Sequence, residues 1–155
     1  MTMKDFCYHS MFYDCSSLKD APALPATTLA NYCYWAMFSD CTSLTAAPAL
    51  PATTLQPYCY NGMFAKCSSL TTAPALPAKK LANYCYVNMF YGCTNLSAVT
   101  CLATDISAFN CTKDWLYNAG TQVTGTKTFT KAASTNWSTG DSGIPSGWTV
   151  KNYGQ

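Results

Sequence analysis

The chain has 155 residues, enough for one ordinary domain or a short repeat array, and carries a formal charge of only +2 with charged residues at 10%. All nine basic residues are Lys, all seven acidic residues are Asp, and His9 is the single histidine. A His-based zinc site, a Ser/His/Asp triad and an arginine clamp on phosphate therefore lack their parts. No cofactor or metal is expected, and the weak charge points to neither nucleic acid nor an anionic membrane as partner.

The first ten residues contain no apolar core of a secretory leader, and no later run approaches membrane-spanning length, so no membrane insertion is expected. A 26-residue repeat dominates the chain. Residues 21–46 (APALPATTLANYCYWAMFSDCTSLTA), 47–72 and 73–98 are three full copies, and 14 of the 26 positions are the same in all three. Cys7 to Leu18 is a partial copy ahead of them. A degenerate copy occupies roughly 99–116, with Trp115-Leu116 where Met-Phe stands elsewhere. A period in this range, in units too small to bury their own apolar face, predicts a solenoid.

Within each copy, Thr27-Thr28 offers a helix N-cap. Leu29, Cys33 and Met37 come next at i, i+4 spacing, with Ala30, Tyr34 and Phe38 as the adjacent row. This pattern predicts about three turns of helix from Thr28 to near Phe38. The stretch from Leu44 to Leu50 predicts extended chain, because Pro48 and Pro51 are excluded from a helix interior. Pro22, Pro48 and Pro74 fall at one level, where no N–H is available, so any sheet is expected to be short. From Tyr117 the composition shifts to Thr, Gly, Ser and Asn. Thr126–Thr130 and Trp148–Val150 read as two short strands around the Gly143–Gly147 turn, which predicts a β-hairpin cap on which Trp115, Trp137 and Trp148 bury. The expected architecture is an α/β repeat with a solenoid over 1–116 and a small β-rich cap over 117–155.

The order Cys-x-x-Leu, Leu-Pro and then Met-Phe-x-x-Cys, seen at Met11-Phe12, Met37-Phe38, Met63-Phe64 and Met89-Phe90, resembles the BspA-like leucine-rich repeats of bacterial surfaces and related phage proteins. The tail Phe-Thr-Lys … Gly-Ile-Pro-Ser-Gly-Trp-Thr-Val is similar to the ends of such repeat proteins. The resemblance covers roughly residues 7–116 and implies a right-handed leucine-rich-repeat solenoid of short strand plus helix. It also implies a cell-surface or secreted location, or a phage particle, and a role in adhesion or host-protein binding with no catalytic residues. This chain departs from that pattern in its 26-residue period, against about 23 for the family, and in Ala-Pro-Ala where the family strand carries Ile or Val.

Eight of the ten cysteines are repeat positions, in the rows Cys7, Cys33, Cys59, Cys85 and Cys15, Cys41, Cys67, Cys93. Stacked helices about 8–10 Å apart would hold the members of one row beyond disulfide reach, so free buried thiols are expected. Cys101 and Cys111 break the repeat and are the pair best suited to bridge, but free thiols are expected there too. Two invariant tyrosine rows, Tyr32/Tyr58/Tyr84 and Tyr34/Tyr60/Tyr86, predict stacking between copies, with carbohydrate stacking as the alternative.

Only four positions differ in all three full copies: Trp35/Asn61/Val87, Ala36/Gly62/Asn88, Ser39/Ala65/Tyr91 and Asp40/Lys66/Gly92. On a helix they fall on the side away from the Cys33–Met37 stripe. They nominate an outer binding ridge of His9, Tyr13, Trp35, Ser39, Asn61, Ala65, Val87 and Tyr91; ordinary drift of solvated positions is the competing explanation. A second candidate surface is a concave side fronted by Lys19, Thr45, Thr71 and Ser97 with Asp20, Ala46, Thr72 and Ala98. With six residues before Cys7 the first coil is expected to be uncapped and to self-associate near Phe6, Tyr8 and Phe12. The functional expectation is a non-enzymatic module binding a protein or glycan partner. A structural subunit of a filament, appendage or phage particle is the alternative.

Overall fold

The segment expected to be helical forms no helix. In the structure, a computed structural model describing residues 3–155, residues 31–40 and their repeats at 57–66 and 83–92 are unbroken runs of turns. Their amides divide into two sets by parity. Odd residues close tight turns on the carbonyl three residues back: Trp35 N–H to Tyr32 O at 3.3 Å, Met37 to Tyr34 at 3.3 Å, Ser39 to Ala36 at 3.2 Å and Cys41 to Phe38 at 3.1 Å. Even residues donate to the next copy instead: Tyr34 to Cys59 at 3.0 Å, Ala36 to Asn61 at 2.8 Å, Phe38 to Met63 at 2.9 Å and Asp40 to Ala65 at 2.8 Å. The same division recurs between the second and third full copies and down to Phe90 N–H on Trp115 O, so each copy is one coil of a stack held by a ladder of bonds.

Every fourth residue of the ribbon has positive φ: Tyr32, Ala36 and Asp40, then Tyr58, Gly62 and Lys66, then Tyr84, Asn88 and Gly92. The backbone unit is thus four residues long. Two successive residues of each unit point inward (Cys33 and Tyr34, Met37 and Phe38) and the next two point outward. This overturns the strand-plus-helix leucine-rich-repeat solenoid. An i, i+4 apolar pattern fits a period of 4 as well as one of 3.6, so it does not by itself specify a helix. Pro57 marks the true geometry: it stands second in the turn that Cys59 N–H closes on Gln56 O, just ahead of Tyr58 at φ 58°. Proline before a left-handed residue is the signature of a type II turn.

Sheet appears where the proline row ends. In the repeat copies the extended corners meet only at isolated parallel bridges, such as Thr28 to Thr54 and Thr54 to Lys80. The first continuous strand, β1 (Ala98–Cys101), has Thr100 at the level of Pro22, Pro48 and Pro74, which restores the missing N–H. It pairs in parallel with β2 (Thr128–Lys131), and β2 with β3 (Thr149–Asn152). The two C-terminal strands are therefore adjacent rungs of one parallel sheet and not the expected hairpin, which requires antiparallel neighbours.

The core is a set of columns one coil apart. Phe12, Phe38, Phe64 and Phe90 stack with ring centroids 5.5–5.7 Å apart and nearly parallel planes. Tyr8, Tyr34, Tyr60, Tyr86, Trp115 and Trp137 form a second column. Leu44, Leu70 and Leu96 are fully buried in a third. Of the three tryptophans expected to bury, Trp115 and Trp148 do so, while Trp137 is half-buried at the end of its column. Truncating Phe64, which is stacked on both faces, to Ala should cost about 3–5 kcal/mol in thermal or denaturant unfolding. Gly62→Ala separates the two backbones more sharply. In a helix it would stabilise by about 1 kcal/mol, whereas at φ 61° a Cβ should destabilise by about 1 kcal/mol.

Candidate functional site

The outward half of each four-residue unit carries the residues nominated as an outer ridge, in two columns. His9, Trp35, Asn61 and Val87 form one; Tyr13, Ser39, Ala65 and Tyr91 form the other. Ser39 departs from the expectation: it is 7% exposed and its hydroxyl donates to the Asp40 carboxylate at 2.8 Å. The other two variable positions, Ala36/Gly62/Asn88 and Asp40/Lys66/Gly92, are the left-handed ones. Their Gly, Asn and Asp content follows from backbone conformation, without any ligand.

Aromatic rings organise this surface. Phe6, Tyr32, Tyr58 and Tyr84 stack at centroid separations of 4.5 Å with planes within 11° of parallel. His9 meets Trp35 edge-on at 4.7 Å, Trp35 tilts against Tyr32 at 5.6 Å, and Tyr91 stacks on Tyr117 at 5.0 Å. Holding a tyrosine at positive φ costs about 1–2 kcal/mol. Each stacked pair returns about 0.5–1.5 kcal/mol, so the column largely offsets its own backbone strain. Packing its neighbours also pushes the Tyr58 phenol upward: partial desolvation comes first, then the charges of Tyr84 and Tyr32.

This geometry bears on the choice of ligand. Sugar rings bind aromatics through an exposed ring face, and along the tyrosine column each face is covered by the next ring. Only the edges reach solvent, apart from the outer face of Phe6, which is 52% exposed. On the other candidate surface, the Thr45 and Ser97 hydroxyls donate to the carbonyls of Lys19 and Thr71, one coil back, at 3.5 and 3.1 Å. Those side chains serve the stack.

The cysteine rows are also structural. Cys41, Cys67 and Cys93 each donate a thiol hydrogen bond to the phenylalanine carbonyl of the preceding coil, Phe12, Phe38 and Phe64, at 3.0–3.1 Å. The same carbonyls accept the amides of Cys15, Cys41 and Cys67, which explains the Phe-x-x-Cys spacing. All ten cysteines are free, Cys101 and Cys111 included. The reason differs from the one expected. Coils in a parallel ladder are about 4.8 Å apart, within Cα reach of a bridge, but in-register side chains keep Cβ–Cβ near that same spacing, beyond the roughly 3.5–4.5 Å a bridge needs. Among the described residues no His, Cys, Asp or Glu cluster could hold a metal ion.

The two ends of the stack differ. At the C-terminal end the segment 141–143 closes the last ribbon: Leu116 N–H donates to Asp141 O, Asp114 N–H to Ser142 Oγ, and Trp115 Nε1 to Gly143 O at 2.8 Å. Gly143 is required there, since a Cβ would run into the Ser138 carbonyl. At the N-terminal end, Phe6, Tyr8 and Phe12, the residues expected to self-associate, donate their amides to Asn31, Cys33 and Met37, and their rings cap three columns. The first ribbon is thus docked on the second. Of the arm that precedes it, Met3 is buried, while residues 1 and 2 lie outside the described residues. Beside Met3 an apolar cavity of about 500 Å³ opens, lined by Tyr8, Met11, Phe12, Leu24 and Tyr34. Sequence reasoning nominated the three aromatics and missed this cavity, because the uncovered Pro22–Thr28 corner has no sequence signal of its own.

A scan against protein-family models, a search of curated proteins and a search of solved structures each found no match to this chain.

Burial pushes the Cys33 and Cys41 thiols up to about 11 and those of Cys93 and Cys101 to about 12, from 9.0. A folded-state value above the unfolded one stabilises the fold below the unfolded value and is lost as pH rises through the folded one. The melting temperature should therefore hold up to about pH 9 and fall between about 9 and 12. Native alkylation should reach only the exposed Cys7 and Cys15, with the other eight reacting on denaturation. Modification of Cys67 in the folded protein would contradict the thiol ladder.

Proposed function

We propose that the chain is a non-enzymatic module that binds a protein partner through the outward columns of its turn ribbons. The observation that carries this reading is the contrast between an invariant inward framework and outward positions with an unusual content of large apolar groups, Trp35, Val87 and Tyr91, all only partly buried. Ring edges, phenol hydroxyls and isolated aliphatic groups suit a polypeptide surface, where aromatic residues dominate binding energy. They suit a glycan less well, because in the neighbouring column of Tyr32, Tyr58 and Tyr84 the ring faces are covered by one another. His9 stands between Phe6 and Trp35 with aromatic neighbours on both sides, and no nucleophile–base pair can be named around it, which favours binding over catalysis.

A structural subunit of a filament, appendage or phage particle is less well supported. Backbone addition between copies needs matching ends, and segment 141–143 already takes the Asp114 and Leu116 amides of the ribbon that would have to donate. A cell-surface or secreted location belongs to the proposal and rests on the likeness of Met-Phe-x-x-Cys to the BspA-like repeats. The helix that this likeness implies is not formed.

The test uses a displayed random-peptide library and a glycan array as probes. Peptides should be enriched on the protein, glycans should not, and the peptides should be lost on a Trp35→Lys, Val87→Lys, Tyr91→Lys variant that keeps its cooperative melting. Peptides bound equally by that variant, or glycan binding that it leaves intact, would overturn the reading.

A further inference from the structure

The N-terminal face of the stack repeats the accepting side of an interface that the protein builds several times. Wherever one turn ribbon sits on the next, the upper ribbon donates its even-numbered amides and the lower accepts through odd-numbered carbonyls: Tyr60, Gly62, Phe64 and Lys66 onto Cys85, Val87, Met89 and Tyr91. The matching carbonyls of the first ribbon belong to Cys7, His9, Met11 and Tyr13. Among the described residues they accept no hydrogen bond from backbone or side chain. The first ribbon therefore presents a row of acceptors at two-residue spacing. Two such ribbons cannot pair with one another through their backbones, since both offer carbonyls.

The apolar half of the interface is open as well. Pro48 and Pro74 are buried under the coil above, whereas Pro22 at the same level is exposed. The cavity of about 500 Å³ lies over this uncovered corner, with Leu24, Tyr34 and Met37 as its floor and Met11 and Phe12 along its side. Met11 is 55% exposed, while its counterparts Met37, Met63 and Met89 are at most 1% exposed. Both halves fit the same object, a Tyr-x-Tyr-x-x-x-Phe ribbon followed by an Ala-Pro-Ala-Leu-Pro corner.

We infer that this face binds a polypeptide segment with the sequence pattern of a ribbon and the corner that follows it. The ribbon of the segment donates its alternate amides to Cys7, His9, Met11 and Tyr13. Its aromatic rings extend the columns that now end at Phe6, Tyr8 and Phe12, and its Leu-Pro corner fills the cavity beside Met11. The site is distinct from the outward columns and does not depend on their role. A second copy of the folded chain is the less suitable occupant, because the amides of its inner ribbons are already bonded and segment 141–143 takes those of Asp114 and Leu116 in its last ribbon.

The experiment titrates the intact protein into a fluorescent synthetic peptide with the sequence of residues 57–80, a ribbon followed by its Ala-Pro-Ala-Leu-Pro corner. Three controls run beside it: a shuffled peptide, a peptide N-methylated at the amides matching Tyr60, Gly62 and Phe64, and the protein variant Met11→Asp. Met11 is exposed, so the variant should keep the fold, which its melting curve checks. A Val150→Asp variant at the far end serves as the unaffected surface control. The expected result is saturable one-to-one uptake, absent for the shuffled peptide and weakened at least about tenfold by N-methylation and by Met11→Asp. No uptake, equal binding of the shuffled or N-methylated peptide, or equal binding by Met11→Asp would overturn the proposal. So would a protein dimer that Met11→Asp dissociates and that takes up no peptide, since it would assign the face to a second copy.

Discussion

Every second amide of the turn ribbon, such as that of Phe38, finds its partner 25 residues ahead and none within its own coil. An α-helix closes its bonds locally and can stand apart from its neighbours; this ribbon cannot. Unpaired buried amides are expensive, so one coil is stable only against the next, and the 26-residue period must be kept wherever the ribbon continues. The side-chain columns are a consequence. Bonds that fix residue 38 against 63 place Phe38 over Phe64 and Cys41 near Cys67, and identical residues in register give stacked rings and a chain of thiol-to-carbonyl bonds.

The same constraint explains which parts of the architecture were legible in the sequence. Period, copy boundaries and the inward set Leu, Cys, Met and Phe could be read directly, because stacking in register demands like residues at like places. The ribbon could not be read from apolar spacing, since a four-residue backbone unit places the same residues on one face as a helix does. Gly62, Asn88, Gly92 and Pro57 were the informative residues, as all suit left-handed or type II turn positions and none suits a helix interior. At the C-terminus the strands were legible and their direction was not. Nothing in Thr128–Lys131 or Thr149–Asn152 distinguishes a hairpin from two rungs of a parallel stack.

The two surfaces proposed for recognition differ in origin. The outward columns owe their position to the ribbon and their variability to solvent, and half of the variable positions answer to backbone conformation. What is left, chiefly Trp35, Val87 and Tyr91, is where side-chain choice is free of the fold. The N-terminal face has the opposite character. Its acceptor row is dictated wholly by the backbone, its three capping rings repeat core positions, and the sequence pointed to them only as an end without cover. The closure of the other end by Asp141–Gly143 makes the stack polar, with acceptors open at one end and donors covered at the other.

The central claim is the division of backbone bonds between a coil and its successor. It is tested most directly by NMR scalar couplings across hydrogen bonds in isotope-labelled protein. A laddered ribbon predicts a coupling between the Phe38 amide nitrogen and the Met63 carbonyl carbon, with equivalents from Phe12 to Met37 and from Phe64 to Met89. A coupling from Phe38 to the carbonyl of Tyr34, four residues back, would mean that the segment is helical after all and would contradict the claim.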